Sequence, residues 1–344
     1  MTKAFNDRFL RACRRQEVDT TPIWLMRQAG RYQPEYRKLR EKYTMLELCT
    51  TPELAAEVTL LPLRRFELDA AILFSDLTIP FLAMGVPFTL KENVGPVIAK
   101  PLQTEEDVNA LRIMEPEEDL PFVGESIRIL RRELRVPLIG FAGAPFTLAA
   151  YLVEGGPSRD YSRVRALMYR QPELWSKLLN ILAQNVIRFL RAQIEAGAQA
   201  VQLFDSWVGA LSPDAYRKHL LPVMQGIVGA LKPLGAPIIY FGTGTASLLE
   251  AMRETGADVI GVDWRVSLDD AWRRLDHACA IQGNLDPAVM LASAEVVRAE
   301  AKEVLRRAGG RPGHIFNLGH GVLPETPVEN VQTLIDTVHR GVSD

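Results

Sequence analysis

Eight short apolar runs recur along this chain, and their form limits the fold more than any other feature. They are PIWLM (22–26), AAILF (70–74), PLIGF (137–141), AVQLF (200–204), PIIYF (237–241), DVIGV (258–262), AIQGN (280–284) and HIFNL (314–318). They are continuous rather than alternating, as in parallel strands covered on both faces. Helical patterns lie between them. PELWSKLLNILAQNVIRFLRAQIEAGA is amphipathic and stops at Gly197. SPDAYRKHLLPVMQGIVGALKPLG opens with Ser212 as N-cap and Pro213 at the first helical position. TPVENVQTLIDTVHRG places Glu329 three residues after Thr326, a capping-box pattern. Eight strands alternating with helices predict an α/β fold, a single-domain (β/α)8 TIM-type barrel over residues 1–344, rather than an open doubly wound sheet. The region from about Gly85 to Arg135 is expected to be an enlarged connection between strands 2 and 3.

The net charge of −2 gives no global pull towards nucleic acid or membrane, so any anion site must be local. Cys13, Cys49 and Cys279 lie far apart and form no C-x-x-C pair, which argues against a disulfide framework or a zinc knuckle. The N-terminal stretch lacks the apolar core of a signal peptide. The uncharged run from Val136 to Val153 is long enough for a membrane span. It contains Pro137, Gly140, Gly143 and Pro145, however, and divides more naturally into strand, loop and helix. A reduced, cytoplasmic, soluble protein is expected.

In barrels of this kind the active site lies at the C-terminal ends of the strands. Arg27 and Arg31 follow strand one, Ser75 and Asp76 strand two, and the segment holding Tyr151 strand three. Asp205 and Ser206 follow strand four, GTGT strand five and Asp263 strand six; Asn284 stands at strand seven, and GHG with His320 follows strand eight. Each has a plain structural alternative. Arginine is common here, with nine lysines among 40 basic residues, so one arginine alone means little. Two of them flanking Gly30 just after a buried strand suit a polyanion better, because each guanidinium can grip a carboxylate or phosphate with two donors. Asp76 could instead cap the next helix, Tyr151 could be core, and His320 a satisfied loop histidine. GTGTAS lacks the further glycine or lysine of a nucleotide cradle. The five histidines show no i,i+4 pair or cysteine partner, so no metal is expected. No lysine stands at a strand end, so no Schiff-base cofactor is expected either.

PIWLMRQAGRYQPEYR (22–37) and GFAGAPFTLAAYLVEGG (140–156) resemble the two signature segments of the uroporphyrinogen decarboxylase family. FSD, FDSWVG, FGTG and NLGHGV occur in the order that family shows, and the resemblance runs from about Asn6 to Val342. It implies cofactor-free decarboxylation of the four acetate side chains of uroporphyrinogen III, giving coproporphyrinogen III in haem biosynthesis. It implies Arg27, Arg31 and Arg40 as contacts to the eight substrate carboxylates, with Gln28, Ala29 and Gly30 of the same segment as further contacts. Asp76 matches the aspartate that binds the central pyrrole N–H groups, and Asp76 and Arg27 are the catalytic candidates. Tyr151, Ser206 and His320 match other polar contacts, and Phe204 an apolar wall. A homodimer with facing clefts is implied, with no nucleic-acid or membrane partner. Arg27, Tyr151, His320 and water all stay open as proton donor.

Three rivals remain. A methyltransferase of a related barrel would hold zinc with histidine and cysteine, but YFGTG after strand five has neither. A non-catalytic tetrapyrrole carrier is opposed only by the intact Asp76. A phosphate-handling barrel would carry glycines after strands seven and eight, where this chain instead carries arginines after strand one.

Overall fold

A computed structural model of the chain describes residues 4–91 and 94–342. Seven regular parallel strands follow chain order around a curled sheet. They are Ala71–Ile72, Leu138–Gly143, Ala200–Asp205, Ile238–Gly242, Val259–Gly261, Ala280–Gln282 and His314–Ile315. The first apolar run closes the ring. Ile23 forms an isolated parallel bridge with Phe316 on one side, and Asp69 N–H donates to Ile23 O at 2.9 Å on the other. All eight runs therefore form walls of one (β/α)8-type barrel.

The first wall is no regular strand because side chains replace its ladder partners. Ile23 N–H donates to Asp69 Oδ2 (2.8 Å), Leu25 N–H to Gln28 Oε1 (3.1 Å) and Met26 N–H to Asn317 Oδ1 (3.1 Å). Inside the barrel, Trp24, Ala70, Ile139, Ala200, Ile239, Val259, Ala280 and Ile315 pack together. The N-terminal helix Arg8–Cys13 plugs one end with Phe9, Leu10, Ala12 and Cys13. Above them Trp24 Nε1 donates to Gln282 Oε1 (2.9 Å), and Gln282 Nε2 donates to Gln202 Oε1 (3.1 Å). Such hydrogen bonds let amides stand in an apolar interior.

The helices cover the outside. Pro172–Ala196 ends where Gly197 adopts a positive φ of 120°. The run 136–153 is strand Leu138–Gly143 followed by helix Pro145–Glu154, and no helix among the described residues is long and apolar enough to cross a membrane. Two helix expectations need correction. Ser212 does cap Pro213–His219, but Leu220 breaks the pattern and a second helix, Leu221–Leu231, starts with Pro222 in its first turn. Pro222 has no N–H to continue the first helix. Thr326 is not a cap: Pro327 takes that position in an extended conformation, the helix runs Val328–Arg340, and Thr326 Oγ1 is buried without a partner. Capping boxes form instead at Thr44–Glu47 and Thr104–Asp107.

The connection between strands two and three is enlarged, as expected. It holds the hairpin Phe88–Lys91/Gly95–Ile98 and the helices Glu105–Asn109, Pro116–Asp119 and Pro121–Glu133; residues 92 and 93 lie outside the described ones. Ile98 N–H and Leu102 N–H donate to Gly155 O and Leu152 O, both at 2.8 Å, which pins the connection to the helix carrying Tyr151.

Candidate active site

The wall 22–26 ends in a tight turn, with Arg27 at φ 59° and Gln28 N–H donating to Leu25 O at 2.9 Å. A non-glycine residue rarely takes this left-handed conformation. Here it turns Arg27 out of the wall, exposed, towards the GHG loop. The Arg27 side chain crosses the face of Gly321, where a Cβ would lie 2.5 Å from Arg27 Cδ. Glycine at 321 thus leaves the room that Arg27 occupies.

His320 Nδ1 accepts the Gly321 N–H at 2.7 Å, which leaves the ring proton on Nε2. Burial pushes the imidazole down to about 4, the charges of Arg27 and Arg265 push it the same way, and Asp263 opposes them. His320 is therefore neutral near pH 7. It can donate one hydrogen bond but is a poor store of a proton.

Arg40 donates from Nη1 to Tyr43 O at 2.6 Å, and Arg31 offers its carbonyl to Arg37 Nη1 at 2.7 Å. Burial raises the Tyr36 phenol, and Arg40, Arg31 and Arg27 all act against that rise, so the three cations share the surroundings of one tyrosine. The Tyr36 ring meets Phe74 at 5.7 Å, two residues before Asp76. Asp76 Oδ1 accepts from Thr78 N–H at 2.9 Å and Thr78 Oγ1–H at 2.5 Å. The short helix Pro80–Ala83 that follows has no side-chain cap, so Asp76 closes a local turn and is not its N-cap. Both bonds fall on one oxygen, so the other is not committed to that turn. Burial, with the nearby charge of Asp76, raises the Tyr151 phenol well above its ordinary value, and Arg27 opposes this. Arg27 thus acts on both Tyr151 and His320, and Asp76 acts on Tyr151.

Beyond Tyr151 the mouth is aromatic. Trp207 lies between Tyr151 (ring centres 4.1 Å apart) and Tyr161 (5.0 Å, stacked). Phe204 meets Phe141 at 5.4 Å and Phe241 at 6.0 Å, both edge-on, and these three rings form part of the floor. Ser206 lines an open cavity of about 720 Å³ with Trp207, Thr243, Trp264, Arg265 and His320. Beneath it, Asp205 is fully buried and accepts from Thr147 Oγ1–H (2.7 Å) and Tyr240 O–H (2.8 Å). Burial raises its carboxyl to about 6, and those two hydrogen bonds hold it from rising further.

Gln28 is placed differently from the other candidates. Its side chain is spent on Leu25 N–H and on Ala70 O (3.2 Å), so it ties the first wall to the second. Ala29 packs beside Tyr36, Leu48 and Val58, and Gly30 lies against the Arg27 carbonyl. The Gln28 side chain is thus committed to the walls, while Ala29 and Gly30 are half-buried. Sequence reasoning overlooked Tyr161, Trp264 and Arg265. The sole available signal was that Trp264 and Arg265 directly follow the strand-end Asp263. Among the described residues, no group of three or more His, Cys, Asp or Glu side chains is arranged to hold a metal ion.

Residues 4–341 match the family profile described as uroporphyrinogen decarboxylase. The protein of that name from Sorangium cellulosum is 56% identical over 336 residues, covering 97% of this chain and 96% of its own length. One from Thermus thermophilus is 56% identical over 333 residues, with 97% of each covered. Among solved structures, a methyltransferase from Methanosarcina mazei superposes with a TM-score of 0.84 at 22% identity, covering 98% of this chain and 99% of its own. That likeness concerns the fold.

Proposed function

Because this chain belongs to the uroporphyrinogen decarboxylase family and is thus a carboxy-lyase, we propose that it removes the four acetate carboxyls of uroporphyrinogen III at the mouth of its barrel. One feature supports this above the rest: the Asp76 carboxylate shares its surroundings with guanidiniums, acting on Tyr151 together with Arg27 and on Cys49 together with Arg40. A substrate with a cationic transition state at its centre and carboxylates at its rim calls for that pattern.

Each step replaces a CH₂–COO⁻ by CH₃. Protonation of a pyrrole ring carbon makes the ring an electron sink, with positive charge spread onto its nitrogen. The bond to the carboxyl carbon then breaks, CO₂ leaves, and its electron pair forms an exocyclic double bond. A second proton goes to the methylene carbon while the ring proton is lost, so each acetate consumes one proton overall. Asp76 holds the pyrrole N–H groups and opposes the developing cation, the role of a preorganised electrostatic group. Arg27 grips the reacting carboxylate, and the aromatic floor excludes water. The neutral His320 acts as a hydrogen-bond donor to a carboxylate rather than as the acid, since an imidazolium is disfavoured there.

Arg27→Ala is expected to lower kcat/KM about tenfold to a hundredfold, the loss of one charge-assisted contact, while the melting temperature stays near wild type. Unchanged kinetics would make the cluster ordinary surface. The function itself is tested by anaerobic incubation with uroporphyrinogen III before and after exhaustive chelation. The expected result is equal CO₂ release in both; no release from the untreated protein would overturn the proposal, and a loss restored by one metal would overturn its cofactor-free chemistry.

A further inference from the structure

The loop after Val259–Gly261, the strand of the sixth apolar run, carries a fixed cation. Arg265 directly follows Asp263 and Trp264. Asp263 is buried, and its carboxylate accepts Gly244 N–H at 2.6 Å and Arg265 N–H at 3.0 Å. It also pairs with Arg265 Nη1. The guanidinium carbon lies 4.0 Å from the centre of the Trp264 ring, a cation–π contact. Trp264 is itself held against Gly319, where a Cβ would lie 2.5 Å from Trp264 N. A guanidinium fixed by an ion pair and a ring has lost much of its rotamer freedom before a ligand arrives.

Two observations argue against a purely structural arginine. Backbone N–H groups already serve the Asp263 carboxylate twice, so Arg265 is not needed to keep it hydrogen-bonded. The side chain is also 51% exposed and lines the cavity that holds Ser206, Trp207 and His320. A guanidinium has five N–H donors, and the Asp263 pair engages Nη1 alone.

We propose that Arg265 is a carboxylate-binding residue of this site, taking one peripheral carboxylate of the macrocycle from the strand-six side; this rests on the function proposed above. His320, at the end of strand eight, then neighbours two cations: Arg265 lines the same cavity, and Arg27 lies against the adjacent Gly321. Both charges act on the His320 imidazole in the same direction, which supports this placement. A planar, two-donor fork suits a carboxylate, and lysine would keep the charge while losing the fork and the stacking.

The test uses the full chain with Arg265→Gln and Arg265→Lys. Affinity is read from quenching of tryptophan fluorescence by uroporphyrin, which carries the same eight carboxylates, and KM and kcat from anaerobic turnover of uroporphyrinogen. Arg265→Gln should weaken uroporphyrin binding and raise KM by on the order of tenfold, with kcat within about twofold. Arg265→Lys should recover part of the loss. Two results would overturn the proposal. One is wild-type affinity and KM in Arg265→Gln. The other is a fall in kcat and melting temperature with KM unchanged, which would make Arg265 a loop anchor. If wild-type protein binds uroporphyrin but releases no CO₂, the proposed function fails, and the fluorescence titration still decides the role of Arg265.

Discussion

Asp69→Ala should lower the stability of the barrel by about 3 kcal/mol, roughly 4 °C in melting temperature for a chain of this size. Asp69 is buried at the base of the second wall and gathers four donors. They are Asn6 Nδ2 (2.9 Å), Arg8 Nη1 (2.6 Å), Ile23 N–H (2.8 Å) and His339 Nε2 (2.8 Å). One carboxylate therefore joins the N-terminal segment, the wall that closes the barrel and the C-terminal helix. Removing one partner of a buried pair typically costs about 3–5 kcal/mol, because the other charge is left uncompensated. The lower end applies here, since Arg8 keeps Asp19 and the Arg8 and His339 side chains are about one fifth exposed. Burial alone would raise the Asp69 carboxyl, but the hydrogen bond and charge of His339, the Ile23 N–H and Arg8 outweigh it and bring it below the usual carboxylate range. A folded value below the unfolded one, about 3.9, means that this stabilisation is present above about pH 4 and is lost as pH falls through the folded value. Thermal unfolding from pH 3 to 7 checks both points, with the variant showing a shallower acid limb. Equal melting curves would show that the four donors are satisfied by water at little cost.

Nothing in the sequence marks Asp69. It stands immediately before AAILF, where it looks like an ordinary loop residue. Its partners come from positions 6, 8, 23 and 339, so its role exists only once the ends of the chain meet. The eight runs were legible for the opposite reason. A strand covered on both faces must be apolar at consecutive positions, and that signature is local. Gly197 was legible too, because a helix that needs a positive φ at its end favours glycine. Thr326 misled because the motif fitted while Pro327 already held the cap position.

The site divides in the same way. That Arg27, Asp76, Ser206 and His320 share one end of the barrel was legible from sequence, because the barrel rule assigns the residue after each strand to that end. Their surroundings were not. That Gly321 makes room for Arg27, that Trp207 is wedged between Tyr151 and Tyr161, and that Gln28 faces the wall depend on contacts between distant segments. Arg265 was missed because it lies two residues past the strand-end position and its value comes from Trp264 and Asp263 together.

Asp76→Asn is expected to lose on the order of 10²–10³ in turnover, the scale for removing one preorganised electrostatic group. The geometry makes this substitution informative. Both bonds from Thr78 fall on Oδ1, and an asparagine amide oxygen can accept them, so the local turn survives. What disappears is the negative charge. Asp76→Glu keeps the charge and moves it by one methylene, which should cost turnover as well, though less than asparagine. Neither change touches the arginines, so both variants should still bind an eight-carboxylate porphyrin.

The proposed chemistry stands or falls on whether the charge of Asp76 stabilises a cation formed at the centre of the substrate. Anaerobic turnover of uroporphyrinogen III by wild type, Asp76→Asn and Asp76→Glu measures this without intermediaries. Products are oxidised and separated by carboxylate count, and each protein is matched for melting temperature and uroporphyrin affinity. The expected result is a ladder from eight to four carboxylates for wild type, a slowed ladder for glutamate and a nearly static octacarboxylate for asparagine. An Asp76→Asn protein that descends the ladder at the wild-type rate would contradict the electrostatic role, and Asp76 would then be no more than the acceptor of a turn.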